Sequence, residues 1–296
     1  MKVLIWFHFP SLIGLLLAAL APSTVWGSEA PRSRAELTEP VLRVATASPT
    51  RPQGHPLDPA LDMARDGLEI MQESVVDYTA TLVKRERVNG QLGEYEYIQL
   101  KVRNRRVVEG QLVTPFSVYM NFLRPASARG REVLYVEGQN NGKLVAREGG
   151  GMGRFLPAVW LHPTGMIAMR NQLYPITDVG IENLVQKLIE RGEEEKRSAS
   201  STCQVSFHEN ATINGRRCTL LQLRHKQPGP GVEFHLAQIF IDDELNLPIR
   251  YVAFGFPERP GETPPVLEEY TYLNLELNVG LTDRDFDYTN PDYGFR

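Results

Sequence analysis

The side chains able to do chemistry are few. Of six histidines, five lie beyond residue 50, at His55, His162, His208, His225 and His235, and the two cysteines are Cys203 and Cys218. Imidazoles that hold a metal or serve as a base usually occur as HExxH, HxH or a similar close spacing, and none of these occurs here. His208, His225 and His235 fall on neighbouring predicted strands and are read as residues of a half-exposed sheet surface. A hydrolase built from a histidine and carboxylates is the competing reading. No Gly-x-Ser-x-Gly elbow is present. The run Gly149–Gly153 lacks the Gly-Lys-Ser/Thr that a phosphate-cradling loop needs where it opens a helix. Asp283, Asp285 and Asp287 resemble part of a calcium loop, but the turn glycine and terminal glutamate are missing, so a solvated tail explains them. The expectation is no catalytic residue, no metal and no cofactor: a protein that binds and is not an enzyme.

Export decides how the cysteines are read. Lys2 precedes a mostly apolar run from Val3 to Ala21, followed by small residues around Ser23–Ser28, which is the layout of a secretory signal peptide. Cleavage is expected after Gly27, and an uncleaved membrane anchor is the alternative. The destination is the periplasm or cell envelope. An even cysteine count in an oxidising compartment favours a Cys203–Cys218 disulfide across the turn residues Asn210, Asn214 and Gly215, with two free buried thiols as the alternative. A metal-binding cysteine is not expected, since no second sulfur or histidine lies at ligand spacing in the sequence.

The 296 residues are 42% hydrophobic and 23% charged, with a formal net charge of −4. The charge offers no footprint for nucleic acid. The basic clusters Lys84–Arg87 and Arg103–Arg106 carry mixed signs nearby and read as solvated strand faces. Residues 28–56, rich in Pro and Ser and without periodicity, read as a flexible linker. A single domain is expected over 57–296.

Several elements would position a site. Asp58-Pro59 opens an amphipathic helix with Ala60, Leu61, Ala64, Leu68, Met71 and Val75 on one face. The period then becomes two: Tyr78–Val88 and Glu94–Arg106 form a hairpin, and Val107–Val113 a third strand. Phe116, Val118, Met120 and Phe122 alternate with Ser117, Tyr119 and Asn121, giving a strand with one wholly apolar face. Val133–Glu137 and Lys143–Arg147 follow, joined by the turn residues Gly138, Asn140, Asn141 and Gly142. After the glycine run, residues 157–180 are apolar and broken by Pro and Gly, and read either as a lid or as a loop packed into the core. Ile181, Leu184, Val185, Leu188 and Ile189 mark a second helix. The C-terminal part returns to strands, and its acidic, aromatic tail is expected to pack by Phe286 and Tyr293 across the sheet end.

LDMARDGLEIMQESVVDYTATLVKRERVNG, PFSVYMNFLRPASARGREVLYVEG, FIDDELNLPIRYVAF and EEYTYLNLELNVGLTDRDFD together resemble the domain-of-unknown-function 1571 family of exported bacterial proteins, over nearly all of the chain after the linker. More distantly, the first helix and the strand P-F-x-V-x-M-x-F-x-x-P, followed by E-V-L-Y-V-x-G, resemble LolA/LolB-type periplasmic lipoprotein carriers. The carrier resemblance implies an α+β fold: a curved antiparallel sheet forming an open half-barrel, with about two helices over the concave face. It implies an apolar cavity under a helical lid for an apolar or acylated ligand, lined by Phe116, Val118, Met120 and Phe122; Leu134, Val136, Trp160, Met166 and Met169 are expected to line it as well. An envelope protein bound by a sensor or interaction domain of the same fold is the alternative, with peripheral membrane contact possible in either case. Ser117 departs from the carrier pattern, standing where carriers keep the arginine that latches the lid.

Overall fold

The computed structural model describes residues 42–43, 47–48, 54–197 and 203–295, so the expected signal peptide and most of the expected linker lie outside the described residues. Two helices and a long antiparallel sheet make up the chain. In order, the elements are β1 (Leu42–Arg43), β2 (Ala47–Ser48), α1 (Asp58–Ser74), β3 (Asp77–Val88), β4 (Gln91–Leu92), β5 (Glu96–Arg103), β6 (Arg106–Val108), β7 (Gln111–Thr114), β8 (Ser117–Arg124), β9 (Glu132–Val136), β10 (Leu144–Arg147), β11 (Val159–Leu161), α2 (Ile181–Arg197), β12 (Gln204–Ile213), β13 (Arg216–Arg224), β14 (Leu236–Asp242), β15 (Pro248–Phe254) and β16 (Val266–Leu277). The main sheet runs β1-β12-β13-β14-β15-β16-β3-β5-β8-β9-β10-β11, with β2 on β12 and β4 on β3. Every pairing is antiparallel. The expected α+β class with a large antiparallel sheet and two helices is the observed one.

Both helices cover one face of the sheet. Met71 of α1 and Val75 just after it, with Ile181 and Val185 of α2, pack on Tyr78, Ile98, Leu100, Val102 and Val118 in the largest core cluster. Ala60 of α1 and Leu188 of α2 extend this layer over Leu221, Ile239 and Tyr251. α1 starts at Asp58 rather than being capped by it: the carboxylate accepts the His55 N–H at 2.8 Å and pairs with Lys196 of α2 at 2.6 Å. The opposite face is covered by the tail, where Phe286 and Phe295 pack on Leu134, Val136 and Val145. Tyr293 stacks on Tyr119 with centroids 4.0 Å apart.

Two expectations fail here. The single strand Val107–Val113 is a separate two-stranded ribbon, β6–β7, because Glu109 and Gly110 adopt φ of 51° and 77° and reverse the chain. The expected disulfide is not present: Cys203 and Cys218 are both thiols. Ladder register explains this. Cys218 stands opposite Ala211, while Gln204 stands opposite Arg224, so Cys203 meets His225 several residues further along the hairpin. A disulfide needs Cα atoms within about 7 Å.

Candidate functional site

Between the helical layer and strands β3, β5, β8, β9 and β10 lies a trough of about 640 Å3, within the usual size range of ligand sites. Its outer half is apolar, with walls of Leu82, Met120, Phe122, Val133, Leu144 and Ala146. The greasy strand face is thus divided. Val118, Leu100 and Val102 are sealed under the helices as core, and Met120 and Phe122 are left to line open space.

The rest of the expected lining distributes unevenly. Phe116 borders a smaller cleft of about 260 Å3 with Tyr135 and Glu182. Leu134 and Val136 are on the far face under the tail: β8–β9 register pairs Met120 with Val133 and Tyr119 with Leu134, so the strand has the opposite parity to the one expected. Trp160 follows them, since Val145 faces both Leu134 and Trp160 across the ladders, and its ring meets Tyr288 edge-on at 5.8 Å. Its neighbours Val159 and Leu161 line the trough instead. Met169 is partly buried within the lid segment but does not line the trough, and Met166 is 90% exposed.

The inner end of the trough is charged. Lys84 Nζ lies 3.2 Å from Glu86 and 3.3 Å from Glu96. The Tyr270 hydroxyl donates to Glu86 at 2.7 Å, and the Tyr251 hydroxyl to Glu268 at 3.1 Å. Arg191 of α2 reaches Glu268 at 3.6 Å and donates to the Tyr174 hydroxyl at 3.0 Å. Burial, reinforced by the nearby carboxylates Glu86 and Glu268, pushes Tyr270 far above the usual phenol range, and Tyr251 and Tyr174 move the same way. These hydroxyls stay protonated, and those of Tyr270 and Tyr251 act as donors that fix the carboxylates. Ser206 Oγ lies 3.1 Å from His208 Nε2, an i,i+2 pair on β12.

Residues 149–175, which overlap the segment expected as a lid or a packed loop, contribute Leu156, Leu161, Ile167 and Tyr174 to the wall of the trough. The glycines of this lid segment are more than a hinge: a Cβ on Gly149 would lie 1.9 Å from the Gly130 backbone, so the lid starts in close contact with the β8–β9 connection. At its other end Lys84 donates to the Gln172 side chain, and the Leu173 N–H donates to Glu86 at 3.0 Å. The lid is therefore held from β3. Ser117 plays no part in this; it is fully buried and donates to the Pro115 carbonyl at 3.0 Å. Between its two fixed ends the lid exposes Met152, Phe155, Leu156, Met166 and Ile167.

A second cluster escaped the sequence. Glu195 of α2, Cys203 and His225 bring one ligand-type atom each within 4.8 Å of one another. The hairpin register places His225 beside Cys203 although 21 residues separate them in the sequence. The turn Asn214-Gly215 was the available signal only to within one residue: its register alone points Cys203 at Lys226, and the shift between His208 and Ala211 brings in His225. Of the three strand histidines, His225 and His235 are neighbours, the His225 N–H donating to the His235 carbonyl at 2.9 Å, while His208 sits further along opposite Leu220. The tail acids are structural: Asp285 caps its own turn and pairs with Lys101 at 2.7 Å, and Asp283 pairs with Arg103 at 2.7 Å.

A family described as "Protein of unknown function (DUF1571)" matches residues 75–295. No curated protein matches the chain. Among solved structures, a DUF1329 family protein from Desulfovibrio piger ATCC 29098 is 12% identical, with a TM-score of 0.37, over 79% of this chain and 98% of its own. A LolA superfamily protein from Nitrosomonas europaea is 11% identical, with a TM-score of 0.33, over 77% of this chain and 97% of its own. The Pseudomonas aeruginosa MucA/MucB complex contains a chain 14% identical, with a TM-score of 0.41, over 77% of this chain and 60% of its own.

Proposed function

We propose a function for a chain that belongs to the DUF1571 family: an exported, non-enzymatic interaction domain of the cell envelope, half-barrel in form over residues 57–296, that binds a partner protein at the trough and its lid. The observation that carries this reading is the lid's surface. Met166 is 90% exposed and Ile167 71%, beside Met152 and Phe155 on the same segment. Apolar side chains gathered on one exposed segment mark an interaction surface, and methionine adapts to an irregular partner. The trough's inner end supports the same reading. Its carboxylates, cations and phenols already pair with one another, which suits a partner's polar groups better than a buried alkyl chain.

A second reading, a carrier of an apolar or acylated ligand, is favoured by one observation: the outer half of the trough is walled by Leu82, Met120, Phe122 and Leu144. Native mass spectrometry of the protein released from envelopes without detergent separates the two. A stoichiometric polypeptide adduct is the expected result. An adduct of lipid mass replaces the first reading by the second, and protein that is empty under all release conditions overturns both.

A further inference from the structure

His225 is completely buried, yet neither ring nitrogen has a hydrogen-bond partner. An imidazole always carries at least one N–H, and leaving such a group unpaired away from water costs about 1–3 kcal/mol. Native proteins rarely tolerate this unless a water or an ion completes the site. The ring is packed edge-on against Phe234, with centroids 4.9 Å apart, which fixes its plane without satisfying its nitrogens. Its Nε2 points toward Glu195 Oε2, 3.8 Å away, too far for a hydrogen bond.

The third member is Cys203, 7% exposed and packed among Leu57 and Leu61. Burial, then the charge of Glu195, pushes its thiol up to about 12. One buried nitrogen base, one thiol and one carboxylate thus converge from the residue after β13, the residue before β12, and α2. We infer that Glu195, Cys203 and His225 form a binding site for a borderline-soft divalent cation of the zinc class. The donor set excludes the hard cations, since calcium and magnesium take oxygen ligands alone. Sulfur, nitrogen and carboxylate oxygen are the ligands that zinc accepts, at about 2.0–2.3 Å.

The geometry fits with modest closure. Tetrahedral ligands at those bond lengths stand about 3.3–3.6 Å apart, and the three atoms here lie within 4.8 Å of one another. Closing the longest of these separations by about 1 Å, through side-chain rotation, brings them together. Glu195 also borders a second cleft of about 300 Å3 beside Phe234 and Leu223, which has room for a water as fourth ligand. Binding would take the proton from the Cys203 sulfur and release it to solvent, leaving a thiolate on the cation. The site ties the end of α2 to the β12–β13 hairpin, away from the lid.

The test uses the untagged full chain with Zn2+ and Co2+ as probes. The expected result is one Zn2+ per chain with a sub-micromolar Kd in a chelator competition, and a thiolate-to-cobalt charge-transfer band in the near ultraviolet. Cys203→Ser abolishes the band, whereas Cys218→Ser, on the opposite face, keeps it. Outer-shell groups alone are worth about 10–100-fold in affinity, so losing a ligand in Cys203→Ser or His225→Ala weakens Zn2+ at least about 100-fold. Glu195→Gln, a near-isosteric change on a half-buried helix, decides the matter if the other variants fail to fold: it weakens Zn2+ at least tenfold. The inference is overturned if the wild-type chain binds no stoichiometric Zn2+, if the band survives Cys203→Ser or requires Cys218, or if Glu195→Gln leaves affinity unchanged.

Discussion

Replacing Glu86 by alanine removes an acceptor shared by three groups: Lys84 Nζ at 3.2 Å, the Tyr270 hydroxyl at 2.7 Å and the Leu173 N–H at 3.0 Å. Both Lys84 and Glu86 side chains are 7% exposed, so solvent cannot take over these roles. Deleting one partner of a buried pair costs about 3–5 kcal/mol. Lys84 keeps Glu96 at 3.3 Å and Tyr270 keeps Glu268 at 3.3 Å, which places the expected loss at the lower end, about 3 kcal/mol. Against a typical domain stability of about 5–15 kcal/mol this is large and easily read from urea unfolding. The same change frees the lid. A hydrogen bond to a charged group is worth about 1.5–3 kcal/mol, so amide exchange over residues 165–174 should accelerate about 10–100-fold. The double variant Lys84→Met/Glu86→Leu supplies a contrast. Apolar replacement of a buried pair is often near neutral, so it should lose less stability than Glu86→Ala while leaving the lid equally loose. The reasoning fails if Glu86→Ala costs under about 1 kcal/mol, if the double variant is the less stable of the two, or if lid exchange does not change.

Filling the trough with Ala146→Trp should leave a folded protein that no longer captures its partner, checked by circular dichroism together with pull-down from envelope extracts. Alkylation in denaturant without reductant should modify both cysteines. Native Cys203, its thiol pushed up to about 12 by burial, should react far more slowly than a free peptide thiol, as followed by intact mass. Phe286→Ala, which empties a position 3% exposed beneath the tail, should cost about 3–5 kcal/mol in urea unfolding. Gly149→Ala places a Cβ 1.9 Å from Gly130 and should displace the start of the lid, seen as faster exchange at residues 126–131 and 149–153.

The helices and most strands were legible because their periods are clean. Met71 and Val75 share a face at helical spacing, and Met120 and Phe122 share one at strand spacing. β9 was not legible in this way. Its run Val133, Leu134, Tyr135, Val136 is apolar at every position, so parity is set only by the partner strand, which puts Val133 beside Met120. A strand buried on both faces carries no alternation to read. The cysteines failed for a related reason. Flanking a hairpin says nothing of register, and the turn at Asn214-Gly215 lies three residues from Cys218 but eleven from Cys203. That asymmetry sets Ala211 opposite Cys218, and the register shift between His208 and Ala211 then brings His225 beside Cys203. The charged inner end was invisible because Lys84 and Glu86 are distant in sequence from Arg191 and Glu268, and all four look like ordinary solvated residues until β3, β16 and α2 gather them.

The claim that the lid and trough are the binding surface is tested most directly by a photo-crosslinking residue at Ile167, irradiated in the source cells, beside the same probe at Val108 of the exposed β6–β7 ribbon. A discrete protein adduct from position 167, absent from position 108 and abolished by Ala146→Trp, is the predicted result. An adduct from position 108 with none from position 167 would contradict the account.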